Sequence, residues 1–196
     1  MARLRPAPTA LCLAALCLGA AACGKENDES IQGVGTPGEA FREGLAEEMN
    51  GLTYNVFITR QLNTRIPPDS AFYRGPDPGK KDTLYGVFVQ VCNEGKKAEE
   101  AVKPDKFVIK DAQENEFRPL TLPRDNVFAY KARTVNPKEC IPLAGSVAQQ
   151  NSAAGALLVY KIPIANLEYR PLELEIEGGF DVRRRAPDKL RYELDF

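Results

Sequence analysis

Five cysteines (Cys12, Cys17, Cys23, Cys92 and Cys140) and the absence of histidine define the side-chain chemistry open to this 196-residue chain. Without an imidazole there is no Ser-His-Asp or Cys-His nucleophile system, and no histidine to ligate zinc or haem iron. Cys92 and Cys140 form no C-x-x-C and have no flanking histidine to lower a thiol pKa, so they read as a structural disulfide rather than a redox pair. Glu173, Glu175 and Glu177 stand two residues apart, the spacing of one face of a strand, and read as its wet side. A carboxylate pair for glycoside hydrolysis is defined by separation in space, which spacing along the chain does not reveal. Arg183, Arg184 and Arg185, near Lys189 and Arg191, are the densest positive charge and the candidate anion contact, for lipid headgroups or a wall polymer. The plainer reading is a solvated loop that keeps the last strand from edge pairing.

Three other motifs fail on their context. Gly33-Val34-Gly35-Thr36-Pro37-Gly38 matches G-x-G-x-x-G, but acidic chain rather than a strand precedes it and Pro37 interrupts it. Gly75 to Lys80 is one residue short of a phosphate loop, and Lys81 stands where a Ser or Thr would meet magnesium. Asp111 to Glu116 is rich in acids and amides but lacks the glycine of a calcium loop, so it reads as a turn. No cofactor and no metal are expected.

The first residues carry an address. Arg3 and Arg5 precede an apolar run of 13 residues from Ala10 to Ala22, which ends in Gly19-Ala20-Ala21-Ala22. Such a run is too short to span a bilayer, where about 20 residues are needed, and suits the core of a signal peptide. The stretch Ala20-Ala21-Ala22-Cys23-Gly24 resembles the lipobox of bacterial lipoproteins, with Ala20 where that family prefers Leu. The resemblance implies that the Cys23 sulfur takes a diacylglycerol group and that residues 1–22 are removed, so that Cys23 becomes the N-terminus. It also implies a protein held on the extracytoplasmic face of the cell membrane, where disulfides persist, since two or three acyl chains anchor stably.

Charge divides the remainder. The full chain has a net charge of −1, which argues against a nucleic-acid binder. Loss of residues 1–22 leaves −3, with −5 on residues 24–50 and +2 on residues 51–196. Residues 23–50 therefore read as an acidic, flexible tether poor in large apolar groups, in which Ala40 to Met49 suits a short helix with Phe41, Leu45 and Met49 on one face. Residues 51–196 suffice for one stable core.

Within that domain, period-two alternation dominates. Strands are expected at Leu52–Thr59, Leu84–Cys92, Phe107–Lys110, Glu116–Arg118, Val127–Tyr130, Ala156–Ile162, Leu172–Glu177 and Leu190–Phe196. Clean alternation in the last two implies one buried and one wet face, as in antiparallel sheet. The connection before Leu84, with Pro67-Pro68, Tyr73-Arg74 and Pro76-Asp77-Pro78, exceeds 20 residues, and Tyr73 and Arg74 are its candidate binding residues. About eight strands without long helical patterns make an all-β, antiparallel β-sandwich.

The order of elements resembles the immunoglobulin-like, telokin-like domains of bacterial lipoproteins and secreted antigens. Val87 to Asn93-Glu-Gly95 supplies the apolar strand ending in Asn and a Gly turn. Phe107–Asp111 and Asn115–Pro119 supply the hairpin, with Asn115 where Gly is usual. Ile141-Pro142-Leu-Ala-Gly145 stands for the Pro-Gly turn, with its Pro and Gly separated, and Gly155 to Pro163 is the closing strand. The resemblance implies an immunoglobulin-like sandwich of about seven or eight strands and no catalytic residues. The expected function is recognition of a surface protein or wall ligand by a membrane-anchored, non-catalytic domain. The alternative is a wall-modifying hydrolase with a carboxylate site.

Overall fold

A computed structural model of the chain describes residues 40–182 and 185–195. Cys23, the residues of the signal segment, the Gly33–Gly38 motif, Arg183 and Arg184 lie outside the described residues. In chain order the strands are β1 (Phe41–Arg42), β2 (Ala46–Met49), β3 (Leu52–Gln61), β4 (Asp82–Cys92), β5 (Glu99–Glu100) and β6 (Phe107–Lys110). They continue with β7 (Glu116–Phe117), β8 (Thr134–Val135), β9 (Cys140–Ile141), β10 (Ala156–Pro163), β11 (Glu173–Asp181) and β12 (Ala186–Glu193). Two single-turn helices, α1 (Asp69–Phe72) and α2 (Val147–Gln150), lie in the connections.

The strands form a β-sandwich. One sheet runs β1-β12-β11-β6-β7 and the other β10-β4-β3-β2, with β9 continuing the β10 edge of β4. The inward residues of the alternating strands fill the space between them: Tyr54 and Val56 of β3, Val87 and Val89 of β4, Leu174 and Ile176 of β11, and Tyr192 of β12 are all essentially buried. Tyrosines tie the layers. Tyr192 Oη donates to the Tyr54 carbonyl at 2.8 Å, and Tyr160 Oη of β10 donates to the Phe107 carbonyl of β6 at 3.1 Å. A phenol suits this position because its ring fills apolar space while its hydroxyl satisfies a backbone oxygen.

β4 and β10 are apolar on both faces because the outer face of their sheet is also covered. Leu62, Phe72, Tyr73, Leu84, Phe88, Leu157 and Val159 form a second buried cluster there, closed by the connection through α1 and by Leu120, Leu122 and Phe128. Phe72 meets Phe88 and Phe128 edge-on, with ring centroids 5.1 and 4.9 Å away.

The structure corrects the boundary of the tether. Residues 40–50 belong to the sandwich, and the expected helix over Ala40–Met49 is β1 and β2. β2 pairs with the first residues of β3 through Met49↔Leu52, around a two-residue turn in which Asn50 and Gly51 have φ of 54° and 76°. This is the Asn-Gly turn whose twist matches a two-stranded hairpin. Gly44, at φ 84°, turns the chain between β1 and β2. Glu43 holds that corner, accepting from the N–H groups of Thr59 at 3.1 Å and Asp195 at 3.2 Å, and burial pushes its carboxyl up from the ordinary range. Ladder bonds to β12 and β3 outweigh the weak helical pattern of ten residues containing a glycine.

Two further expectations change. β1 pairs parallel with β12, Phe41 opposite Tyr192, so the sheets are not wholly antiparallel. Val127–Tyr130 is not a strand: Asn126 closes a turn onto the Phe128 N–H, and Ala129 makes an isolated parallel bridge to Leu157. Seven strands are four residues or longer among the described residues, near the expected number, and five two-residue strands supplement them.

Candidate functional site

A groove of about 530 Å³ lies on the free edge of β10. Two stretches of the connection between β7 and β8 straddle that edge. Leu120 N–H donates to the Val159 carbonyl at 2.7 Å, and Tyr130 N–H donates to the Leu157 carbonyl at 2.8 Å. Pro119 and Pro123 lack N–H groups and prevent the first stretch from zipping up as a continuous strand. The edge is thus guarded at two points and left open between them. Leu120, Leu122, Ala129, Leu157 and Leu158 give the opening an apolar floor, and Arg124, Lys131 and Asp105 stand at its rim.

The walls are braced. Asn126 donates to the Phe72 carbonyl at 2.9 Å and accepts from Phe128 N–H at 2.9 Å, so the loop is pinned to α1. Tyr130 Oη donates to the Val102 carbonyl at 2.7 Å, and burial raises its pKa well above the usual phenol value. Lys131 Nζ donates to the Arg124 carbonyl at 2.7 Å, which ties the two stretches of the loop together. The arrangement suits a ligand with an extended apolar part and a polar or anionic end.

A smaller hollow of about 380 Å³ shares Pro123 with the groove and is lined by Ala71, Arg74, Asp125, Asn126, Val127 and Phe128. The candidate pair Tyr73 and Arg74 is therefore split. Arg74 reaches this second hollow, whereas Tyr73 turns inward and is buried in the outer cluster. Sequence reasoning placed the binding loop before β4 and missed the partner loop at Pro119–Lys131. The available signal was Pro119-Leu-Thr-Leu-Pro123, an alternating apolar pair fenced by prolines and unable to join a sheet.

Cys92 and Cys140 are bonded, facing each other as the terminal pair of the β4–β9 ladder. Arg185 is exposed at the β11–β12 turn with φ of 52°. Glu173, Glu175 and Glu177 do share one face of β11, and each meets a cation. Glu173 pairs with Arg191 at 3.7 Å, and Glu175 with Lys189 at 2.8 Å and Lys110 at 3.6 Å. The hydrogen bond from Lys106 holds the Glu177 carboxyl below its usual range.

Two carboxylates are buried among the described residues, Asp69 and Asp111, and both organise backbone. Asp69 pairs with Arg60 and accepts from Asn63 N–H at 2.8 Å. Asp111 accepts from the N–H groups of Gln113 and Asn115 at 2.9 and 3.0 Å, and from the Asn115 and Asn166 amides at 2.8 and 2.9 Å. Desolvation raises the Asp111 pKa, but these donors together outweigh it and hold the carboxyl below its ordinary value. The calcium-like stretch is therefore the turn of the β6–β7 hairpin, its carboxylate filled by protein donors.

No protein-family model and no curated protein matches the sequence. Among solved structures, the yjhA protein of Bacillus subtilis is similar in fold, with 12% sequence identity, a TM-score of 0.51, and coverage of 79% of this chain and 99% of that one. A functionally unknown protein from Listeria monocytogenes EGD-e is similar to the same degree, at 11% identity and TM-score 0.50, covering 80% of this chain and 84% of its own. At such identities the likeness establishes the sandwich fold alone.

Proposed function

We propose that this chain is a lipid-anchored extracytoplasmic lipoprotein whose immunoglobulin-like sandwich recognises a surface protein or wall ligand through the β10-edge groove. The observation that carries the recognition site is the apolar floor of Leu120, Leu122, Leu157 and Leu158, left open where prolines interrupt an edge-covering loop. The two buried carboxylates lie in separate loops and are filled by protein donors, and the small hollow beside Asp111 that Glu173 and Glu175 also line holds their paired cations Lys110 and Arg191, which favours binding over hydrolysis as the reading of this domain. The anchor reading is supported by the lipobox-like Ala20–Gly24 and by the disulfide, which suits an oxidising compartment.

Crosslinking on intact cells tests the two parts separately. Adducts formed by the parent chain are expected to disappear in Leu122→Arg, which places a charge on the groove floor, while the protein stays on the membrane. Cys23→Ala is expected to release the protein from the membrane and abolish acylation. Adducts unchanged by Leu122→Arg would remove the groove from the proposal, and an acylated, membrane-bound Cys23→Ala protein would remove the anchor.

A further inference from the structure

The β11–β12 turn combines features that the groove does not use. Phe180 and Val182 are the most exposed large apolar side chains among the described residues, at 65% and 80%. They sit beside Arg185, also exposed, in the sequence Phe180-Asp-Val-Arg-Arg-Arg185. Arg183 and Arg184 lie outside the described residues. Two apolar side chains held out beside arginine have the chemistry of a shallow contact with anionic phospholipid, in which apolar groups enter the headgroup region and guanidinium groups meet phosphates.

The topology locates this turn. Close packing joins it to the β2–β3 turn: a Cβ on Gly178 would collide with the Asn50 amide and come within 2.7 Å of Met49 Sδ. Asn50, oriented to donate to Asp188 Oδ2 at 2.8 Å and accept from Gly179 N–H at 2.8 Å, links the two turns. The exposed Lys96 and Lys97, together with Glu94, follow Asn93 in the neighbouring loop at this end. β1 runs parallel to β12, and β12 begins at the β11–β12 turn, so the chain arrives at Phe41 from the side on which that turn lies. From Phe41, opposite Tyr192, to the first residue of β12 is about 20 Å at roughly 3.3 Å per residue. Residues 23–39 span at most about 60 Å at roughly 3.3–3.6 Å each, so an anchor at Cys23 and the turn can reach one membrane surface together.

We infer that the β11–β12 turn is a second membrane contact, which docks this end of the sandwich on anionic phospholipid through Phe180, Val182 and Arg185. The inference takes its orientation from the lipid-anchor reading of Cys23. The docked end is opposite the β3–β4 connection, because β3 begins and β4 finishes at the Asn50–Gly51 end. With a net charge of −3 on the mature chain, the attraction is local to the turn rather than general.

The chain has no tryptophan, so one indole reports without background. The mature chain carrying Cys23→Ala and Phe180→Trp is mixed with vesicles of phosphatidylcholine alone or with phosphatidylglycerol. With phosphatidylglycerol, the emission is expected to shift to the blue and to be quenched by brominated acyl chains. Ile66→Trp, in the β3–β4 connection, is expected to stay unquenched. Arg185→Glu replaces a cation by an anion and is expected to weaken partitioning at least about fivefold, the effect of one basic residue near a charged surface. Val182→Asp is expected to remove the blue shift, with circular dichroism unchanged. No shift on phosphatidylglycerol vesicles, an equal response on phosphatidylcholine, or equal quenching of Ile66→Trp would overturn the inference. Because the assay lacks the acyl chains, its outcome is independent of whether Cys23 is lipidated, which the cellular Cys23→Ala experiment reads by itself.

Discussion

Tyr192 Oη donates to the Tyr54 carbonyl at 2.8 Å, joining β12 to β3 through the buried interior between strands 138 residues apart in sequence. The bond crosses from one sheet to the other, and Tyr160 makes the reciprocal crossing to Phe107 from β10. Tyr192→Phe keeps the ring and removes the donor. It is expected to lower unfolding free energy by about 1 kcal/mol, the usual net value of one hydrogen bond, with the exact cost set by how fully the Tyr54 carbonyl stays paired. A urea midpoint equal to that of the parent chain would show that the crossing adds nothing.

The same tyrosines make stability depend on alkaline pH. Burial pushes the hydroxyls of Tyr160, Tyr192 and Tyr130 up, and that of Tyr85 to about 12. The native protein then keeps phenol protons that the unfolded chain releases above about pH 10. Stability is complete below that pH and falls as pH rises through the window up to each folded pKa, by up to about 1.4 kcal/mol per pH unit for each tyrosine. Phenolate absorbance of these residues is expected to appear together with unfolding. Its full appearance while the near-ultraviolet circular dichroism remains native would contradict this.

The Cys92–Cys140 bond encloses 47 residues that include β5, β6, β7 and β8. Closing such a loop in the unfolded chain is worth on the order of 4 kcal/mol in the loop-entropy model. Reduction is therefore expected to lower the thermal midpoint markedly while leaving the β-sheet spectrum of the cold protein in place. Mass spectrometry without reductant should find neither thiol free to alkylate.

Asp69 lies almost wholly out of solvent against Arg60, which is a third exposed, and it also binds Asn63 N–H. Asp69→Ala strands a half-buried guanidinium and a backbone donor, with an expected loss of about 3 kcal/mol. The double variant Arg60→Met with Asp69→Ala should lose less than Asp69→Ala alone, because it removes the orphaned charge. Equal losses, measured by denaturant unfolding, would mean that the ion pair is incidental to the loop.

Several features were legible in the residue order. The alternating Leu172-Glu-Leu-Glu-Ile-Glu177 marked one dry and one wet face, and β11 places them so. The run Leu84 to Cys92, apolar on both faces, matched a strand covered on both sides. Asp111 to Asn115 marked a hairpin turn. The strongest local signal, Asn50-Gly51, sits on the boundary drawn between tether and domain, and it was the mark by which β2 could have been recognised. Helical spacing at Phe41, Leu45 and Met49 pointed elsewhere because a ten-residue pattern is satisfied about equally by two short strands with a glycine turn between them.

The groove was not legible, and the reason is geometric. Its floor is shared between β10 and a loop some 30 residues earlier, so no window of sequence contains both. Tyr73 and Arg74 are adjacent in the chain, yet one is buried and the other exposed, because only the packing of α1 on Phe88 decides which way each points.

By itself, then, the sequence determined the period of its strands, the faces they bury, and the want of any imidazole chemistry. These are local or compositional properties, carried by side-chain alternation and residue type. Only the tertiary structure decided that β1 lies parallel to β12, that residues 40–50 join the sheets, and that the edge of β10 is covered in two places and open between them. Those depend on contacts between residues distant in the chain, whose free energy is realised only when the partner surfaces meet.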